Sequence, residues 1–150
     1  MDIRTAGPGD DITVAALIAE YAADFEYELG DQDVVAEGLD ARATYDKGAL
    51  YVADVDGEVV GCIAWEPWGE GRARMKRLYV MRDHRGAGIG RALTKAVMDG
   101  AREAGNQVMV LDTTQGMTEA RGLYASLGFE EWTPDYEAPC RDTVYMRRDL

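Results

Sequence analysis

The sequence predicts an α/β protein of mixed α+β type: a central mixed, mostly antiparallel sheet of six to seven strands, flanked by about four helices. Three observations predict it. Two apolar runs, 50–55 and 58–65, are joined by Asp56-Gly57, the dipeptide that favours a type I′ hairpin. A third strand-like run over 72–80 ends in Leu78-Tyr79-Val80 and feeds a glycine-rich corner, Arg85-Gly86-Ala87-Gly88-Ile89-Gly90. After the corner, Ile89, Leu93, Ala96, Val97, Ala101 and Ala104 recur at helical spacing as one apolar stripe. A meander that precedes a glycine-cornered helix does not fit a doubly wound sheet, and a mixed one remains.

The other elements follow in order. Residues 2–6 make a short first strand. Asp10 or Asp11 caps a helix with Val14, Leu17, Ile18, Tyr21, Ala22, Phe25 and Leu29 on one face, and Gly30 ends it. A weaker helical stretch over 33–45 has Val34, Val35 and Leu39 as its apolar positions. Past Gly105-Asn106, residues 107–113 form a buried strand. A short helix over 118–127 turns Ala120, Leu123, Tyr124 and Leu127 inward. Gly128-Phe129 opens a strand to Trp132, a loop covers 133–141, and a last strand covers 143–147. No repeat, linker or second composition interrupts this order, so residues 1–150 are expected to form a single domain.

The chain has 150 residues, 47% of them hydrophobic, with a net charge of −12. That charge argues against nucleic acid and anionic membranes as partners and favours cationic ones. No basic-then-apolar leader or bilayer-length apolar run is visible, which points to the cytoplasm. Cys62 and Cys140 lack CxxC spacing and a second histidine, so two reduced thiols are expected, with no metal site.

The chemistry concentrates at the glycine corner. A strand that turns through glycines into a helix aims several backbone N–H groups and the positive end of the helix dipole at one spot, which suits phosphate oxygens. Arg85 and Arg91 add charge. No Gly-Lys-Ser/Thr follows, so the P-loop pattern fails. The third glycine of a dinucleotide fingerprint would fall at Arg91, so that pattern fails too. What remains is Arg85-x-x-Gly88-x-Gly90 after Leu78-Tyr79-Val80, with Leu123-Tyr124-x-x-x-Gly128-Phe129 downstream. This combination resembles the GNAT superfamily of N-acetyltransferases, and the order of elements matches it over nearly the whole chain.

The resemblance implies acetyl-CoA as co-substrate. Backbone N–H groups of Leu78, Tyr79 and Val80, and of Gly86, Ala87, Gly88, Ile89, Gly90 and Arg91, would hold it beside Arg85. A bulge would splay the strand ending at Val80 from the one ending at Asp112, and the pantetheine arm would pair with the opened edge. The N–H of Tyr79 or Val80 would polarise the thioester oxygen. Tyr124 stands where many members place the tyrosine that protonates the departing sulfur, a task suited to a phenol with a pKa of roughly 10. As a core residue it can do both, its ring packed and its hydroxyl at the sulfur.

Several positions depart from the family pattern. The strand before the corner carries Arg72, Arg74, Lys76 and Arg77 where some members have a catalytic glutamate, so Asp112 becomes the first choice of general base, with Glu28, Glu66 and Glu20 behind it. Arg82 replaces a usual proline, and Met117 an asparagine. His84 is given no catalytic role. Trp65, Trp68, Trp132 and Tyr136 are candidates to line an acceptor pocket.

The function implied is acetyl transfer to a primary amine, small-molecule or peptidic, by direct attack in a ternary complex, in a monomer or homodimer. Another acyl-CoA, or a protein's N-terminal amine, would use the same machinery. The competing reading is a catalytically lapsed acyl-CoA-binding sensor or interaction module. Between Glu20 and Asp46 the only base is Arg42 among many carboxylates, which favours a cationic acceptor such as a polyamine or lysine-like amine. The basic run 72–77 speaks instead for an amine that bears a carboxylate.

Overall fold

The computed structural model describes residues 1–25, 31–134 and 142–150. Among these residues seven strands form one sheet: β1 (Asp2–Thr5), β2 (Ala49–Val55), β3 (Glu58–Pro67), β4 (Arg72–Val80), β5 (Val108–Thr114), β6 (Glu130–Glu131) and β7 (Thr143–Asp149). Their order is β1-β2-β3-β4-β5-β7-β6, and every neighbouring pair is antiparallel except β4 and β5. Among the described residues the α-helices are α1 (Asp11–Phe25), α2 (Asp31–Gly38), α3 (Ala41–Thr44), α4 (Ile89–Glu103) and α5 (Thr118–Ser126). The mixed, mostly antiparallel sheet expected from the sequence is therefore present. At the hairpin, Asp56 and Gly57 both have positive φ, 53° and 88°, as a type I′ turn requires.

Two apolar layers sandwich the sheet. On one face Val14, Leu17, Ile18 and Tyr21 of α1 pack with Val34, Ala41 and Tyr45 against Val52, Cys62, Ala64 and Tyr79. On the other, Leu93, Val97 and Ala101 of α4 and Tyr124 of α5 cover Ile63, Trp65, Met75 and Leu111. The alternation of strand side chains divides β3 between the layers, with Cys62 and Ala64 facing α1 and Ile63 and Trp65 facing α4.

Three details differ from the sequence reading. The helix expected over 33–45 is two, α2 and α3, parted at Leu39-Asp40, so Leu39 (75% exposed) and Val35 are not core positions. Gly38, a poor helix former, ends α2 where a Cβ would come within 2.9 Å of Ile18 Cγ2. The buried stripe of α4 includes Thr94 and Met98 rather than Ala104, which is exposed because the helix stops at Glu103. The strand expected from Gly128 to Trp132 shrinks to the two residues of β6. Phe25's side chain, Leu29 and Gly30 lie outside what is described.

Gly48, between α3 and β2, generates a test of this packing. A Cβ there would collide with the Trp65 carbonyl oxygen, a backbone atom of β3 that cannot swing aside. Gly48→Ala is expected to cost about 1–3 kcal/mol, as overpacking does. Urea unfolding should show a lower midpoint at unchanged slope. An unshifted midpoint would contradict this junction.

Candidate active site

The sheet opens at its one parallel pair. β4 and β5 are in register only from Arg72/Val108 to Arg74/Val110, and no pair follows. The cause lies on the other side of β4. Lys76 pairs with Ala64 and Tyr79 with Cys62, so Ile63 opposes two residues, Arg77 and Leu78. This is a β-bulge, and Arg77 within it adopts φ 62°, which is rare for a residue with a side chain. The expected splay is thus present, with its origin at Arg77.

Beyond the bulge, the backbone of Leu78–Val80 borders a cleft of about 870 Å³. Met81 N–H donates to Val60 O of β3 at 2.8 Å. Strand alternation then turns the amide of Tyr79 toward β3 and those of Leu78 and Val80 toward the gap. Val80's carbonyl follows the same rule, accepting a hydrogen bond from Arg85 Nε at 2.8 Å. Of the two amides the sequence left open, Val80's faces the cleft.

At the mouth of the cleft stands the glycine corner. Gly86 and Gly88 have φ of 83° and 84°, and a Cβ on either would meet no protein atom within 4 Å. The space above the loop is therefore open. Gly88 caps α4, and the first helical bond to it comes from Ala92 N–H. The amides of Ile89, Gly90 and Arg91 precede that bond and lie in the first turn, where a helix leaves its donors unmatched. Leu78, Tyr79, Val80, Arg85, Gly86, Gly88, Ile89, Gly90 and Arg91 all border the cleft, while Ala87 lies exposed at the loop's tip, outside its lining.

Asp24, near the end of α1, also reaches this wall. It accepts from Arg82 Nη2 at 2.6 Å, from Tyr79 Oη at 3.2 Å and from Arg85 Nη2 at 3.4 Å. Burial alone would raise the Asp24 carboxyl, but the two guanidinium groups and the hydroxyl outweigh it and hold it below the usual carboxylate range. Arg85 also lies over the Tyr79 ring at 5.2 Å. The sequence offered no signal for Asp24, which joins the site only because α1 packs across β4.

The opposite wall comes from the end of β5 and from α5: Thr114, Gly116, Met117, Thr118, Ala120 and Leu123. These were missed too, apart from Met117, because small and apolar residues carry no chemical signature. Tyr124 borders the cleft from within this wall, 5% exposed, its ring edge-on to Phe129 at 5.9 Å. Burial, reinforced by Tyr21 and Asp112, pushes its phenol above the ordinary tyrosine value, so it carries its proton at neutral pH.

The described candidate bases, Asp112, Glu66 and Glu20, lie apart from the lining. Asp112 accepts from Arg74 Nη2 at 2.8 Å, with both side chains about one-fifth exposed. Glu66 lies 3.7 Å from Lys76 Nζ, and Glu20 is exposed on α1. Glu28, Tyr136 and Cys140 lie outside the described residues. Of the aromatics, Trp65 is core beneath α4, not pocket lining. Trp68 carries Arg74 4.3 Å above its ring, and Trp132 carries Arg147 at 5.8 Å. His84 borders the cleft. Cys62 is a free thiol, buried beneath α1 and pushed up to about 12 by that burial.

A cleft bordered by an open strand edge, by a glycine corner at a helix N-terminus and by a buried phenol has the layout of a site for a long ligand with an anionic end. The comparisons with known proteins agree. The acetyltransferase (GNAT) family model matches residues 14–129, and the chain belongs to that family. It is 36% identical over 138 residues to an uncharacterised N-acetyltransferase of Schizosaccharomyces pombe, covering 89% of this chain and 85% of that one. It is 37% identical over 96 residues to the L-methionine sulfoximine/L-methionine sulfone acetyltransferase of Pseudomonas paraeruginosa, covering 61% of this chain and 56% of the relative. It spans 38% of the length of human N-acetyltransferase 8B, to which it is 38% identical over 55% of its own length. Among solved structures, a Staphylococcus aureus GNAT acetyltransferase superposes with TM-score 0.85 at 20% identity, over 99% of this chain and 98% of the other. The PaiA N-acetyltransferase of Thermoplasma acidophilum, crystallised with coenzyme A, superposes with TM-score 0.79 at 17% identity, over 99% and 98%. Family membership makes this chain an acyltransferase that draws acetyl groups from acetyl-CoA and passes them to an amine.

Gly88 offers a direct test of the corner. Gly88→Val puts a β-branched side chain into the open space above the loop and asks it to hold φ 84°. CoA binding by calorimetry is expected to vanish while the protein stays folded. Unchanged affinity in the folded variant would remove the corner from the site.

Proposed function

We propose that residues 1–150 act as one acetyl-CoA-dependent unit, transferring an acetyl group to a primary amine by direct attack in a ternary complex. One observation supports this most: the open edge of β4, the anion-binding corner and the buried, protonated Tyr124 all border a single cleft.

Bound acetyl-CoA supplies an acyl thioester, and the attacking amine forms the C–N bond as the C–S bond breaks. The amides from Gly86 to Arg91, with the Arg85 and Arg91 side chains, hold the pyrophosphate. The gap-facing amides of Leu78 and Val80 pair with the pantetheine arm, and Val80 N–H polarises the thioester carbonyl. Tyr124 gives its proton to the departing sulfur. Asp112, on the strand across the gap, takes the ammonium's proton through water. Its bond to Arg74 holds the carboxylate in place.

Tyr124→Phe keeps the ring and removes the proton. CoA affinity should stay near wild type while kcat falls on the order of 10²–10⁴-fold, as for a lost general acid. Wild-type turnover, with chemistry shown to limit the rate, would reduce Tyr124 to packing.

For the acceptor, the arrangement of charge favours a small amine that also carries a carboxylate. Of the described carboxylates near the site, Asp24 is matched by Arg82 and Arg85, and Glu37 by Arg77 and Lys76, while Glu119 borders the cleft as an exposed residue of α5. That pairing weakens the case for a polyamine drawn in by an acidic field. Arg74 is held over Trp68 with one carboxylate partner among the described residues, leaving guanidinium donors for a second. The relative named for L-methionine sulfoximine and L-methionine sulfone supports the same class. KM should be lower for neutral amino acids than for a polyamine, at both low and high salt. A polyamine with the lower KM, rising steeply with salt, would restore the cationic acceptor.

A further inference from the structure

The acidic side chain most tightly bound to the bulge is Glu37, on the last turn of α2. Its two oxygens accept from Arg77 Nε at 2.6 Å and Arg77 Nη2 at 3.2 Å, and Tyr45 Oη adds a third bond at 2.7 Å. Lys76 Nζ stands 3.9 Å away. All three charged side chains are largely buried, between 13% and 17% exposed.

Consecutive strand residues normally point to opposite faces. Lys76 and Arg77 reach the same carboxylate because the bulge turns both toward α2. A regular strand would return Arg77 to a φ that its side chain prefers, and would carry its guanidinium away from Glu37. The fork of bonds from Glu37 therefore opposes the regular conformation. Cys62 Sγ adds a weaker restraint, donating to the Arg77 carbonyl at 3.5 Å.

We infer that Glu37 is a positioning residue for acyl transfer: through Arg77 it holds the bulge that turns the Leu78 and Val80 amides into the cleft. The inference rests on the reading above that Val80 N–H polarises the thioester. Glu37 does not border the cleft, and it touches neither the corner nor Tyr124, so its removal should misplace the amides without weakening the pyrophosphate site.

The test combines Glu37→Gln with Arg77→Gly. Glu37→Gln removes the charge and keeps the shape. It is expected to lower kcat by about tenfold to 10²-fold, the loss that small misplacements near reacting atoms produce. CoA affinity should change less than about threefold, because the corner is a separate element. In the free protein the amide NMR signals of Leu78–Val80 should shift. Glycine holds a positive φ without a clamp, so in an Arg77→Gly background the further loss from Glu37→Gln should fall below about twofold. Unmoved amides with unchanged kcat would overturn the inference. A full Glu37→Gln loss that persists in the glycine background would also overturn it, because Glu37 would then act without Arg77. The underlying reading fails differently: added CoA would leave the Leu78–Val80 amides of the wild-type protein undisturbed.

Discussion

The site depends on one irregularity in β4. A sheet satisfies its backbone groups by pairing them, and a central strand with an open edge is costly unless something takes the partner's place. Here β5 continues to pair with β7 along its whole length, while β4 leaves β5 after Arg74. The bulge at Arg77 bends β4 and flips the facing of everything after it. As a result Leu78 and Val80, which lie on the α4 side, border a space that continues to the corner at one end and to Tyr124 within. Without the extra residue β4 and β5 could stay in register, and the two faces of the sheet would not communicate.

The electrostatics follow from where the bases lie along the chain. Residues 72–91 contain seven of the 16 lysines and arginines and, in Asp83, one of the 28 acids, so a strongly acidic protein keeps a locally basic strand and corner. The helices that cross this segment supply the matching carboxylates, Asp24 from α1 and Glu37 from α2. These pairs are partly or largely buried, where an unmatched charge is expensive. They tie the helices of one face to the strand and loop that border the cleft. The net charge of −12 therefore describes the outer surface better than it describes the site.

In the proposed mechanism Tyr124 would serve packing and chemistry together. Its ring belongs to the layer beneath α4 and α5, against Phe129, and the same burial that makes it core keeps its phenol protonated. A solvent-exposed tyrosine would also be protonated, but its hydroxyl would be free to rotate among waters. Packing on α5 restricts where that hydroxyl can point.

What the sequence alone determined is local. Period-two and helical spacings marked most of the strands and helices, Asp56-Gly57 the hairpin, and the glycines after Val80 the turn into α4, because each signal reflects a conformation that a few adjacent residues impose on themselves. Tertiary structure decided the rest. No local pattern marks Arg77 for a positive φ, and it adopts one through groups brought from α2 and β3. Asp24, Thr114 and Leu123 border the cleft because helices and strand ends distant in the chain meet there. The same packing ended α2 at Gly38 against Ile18, buried Trp65 under α4, and bound Asp112 to Arg74. In each case the deciding contact is with a residue far along the chain, and spacing within a segment carries no record of it.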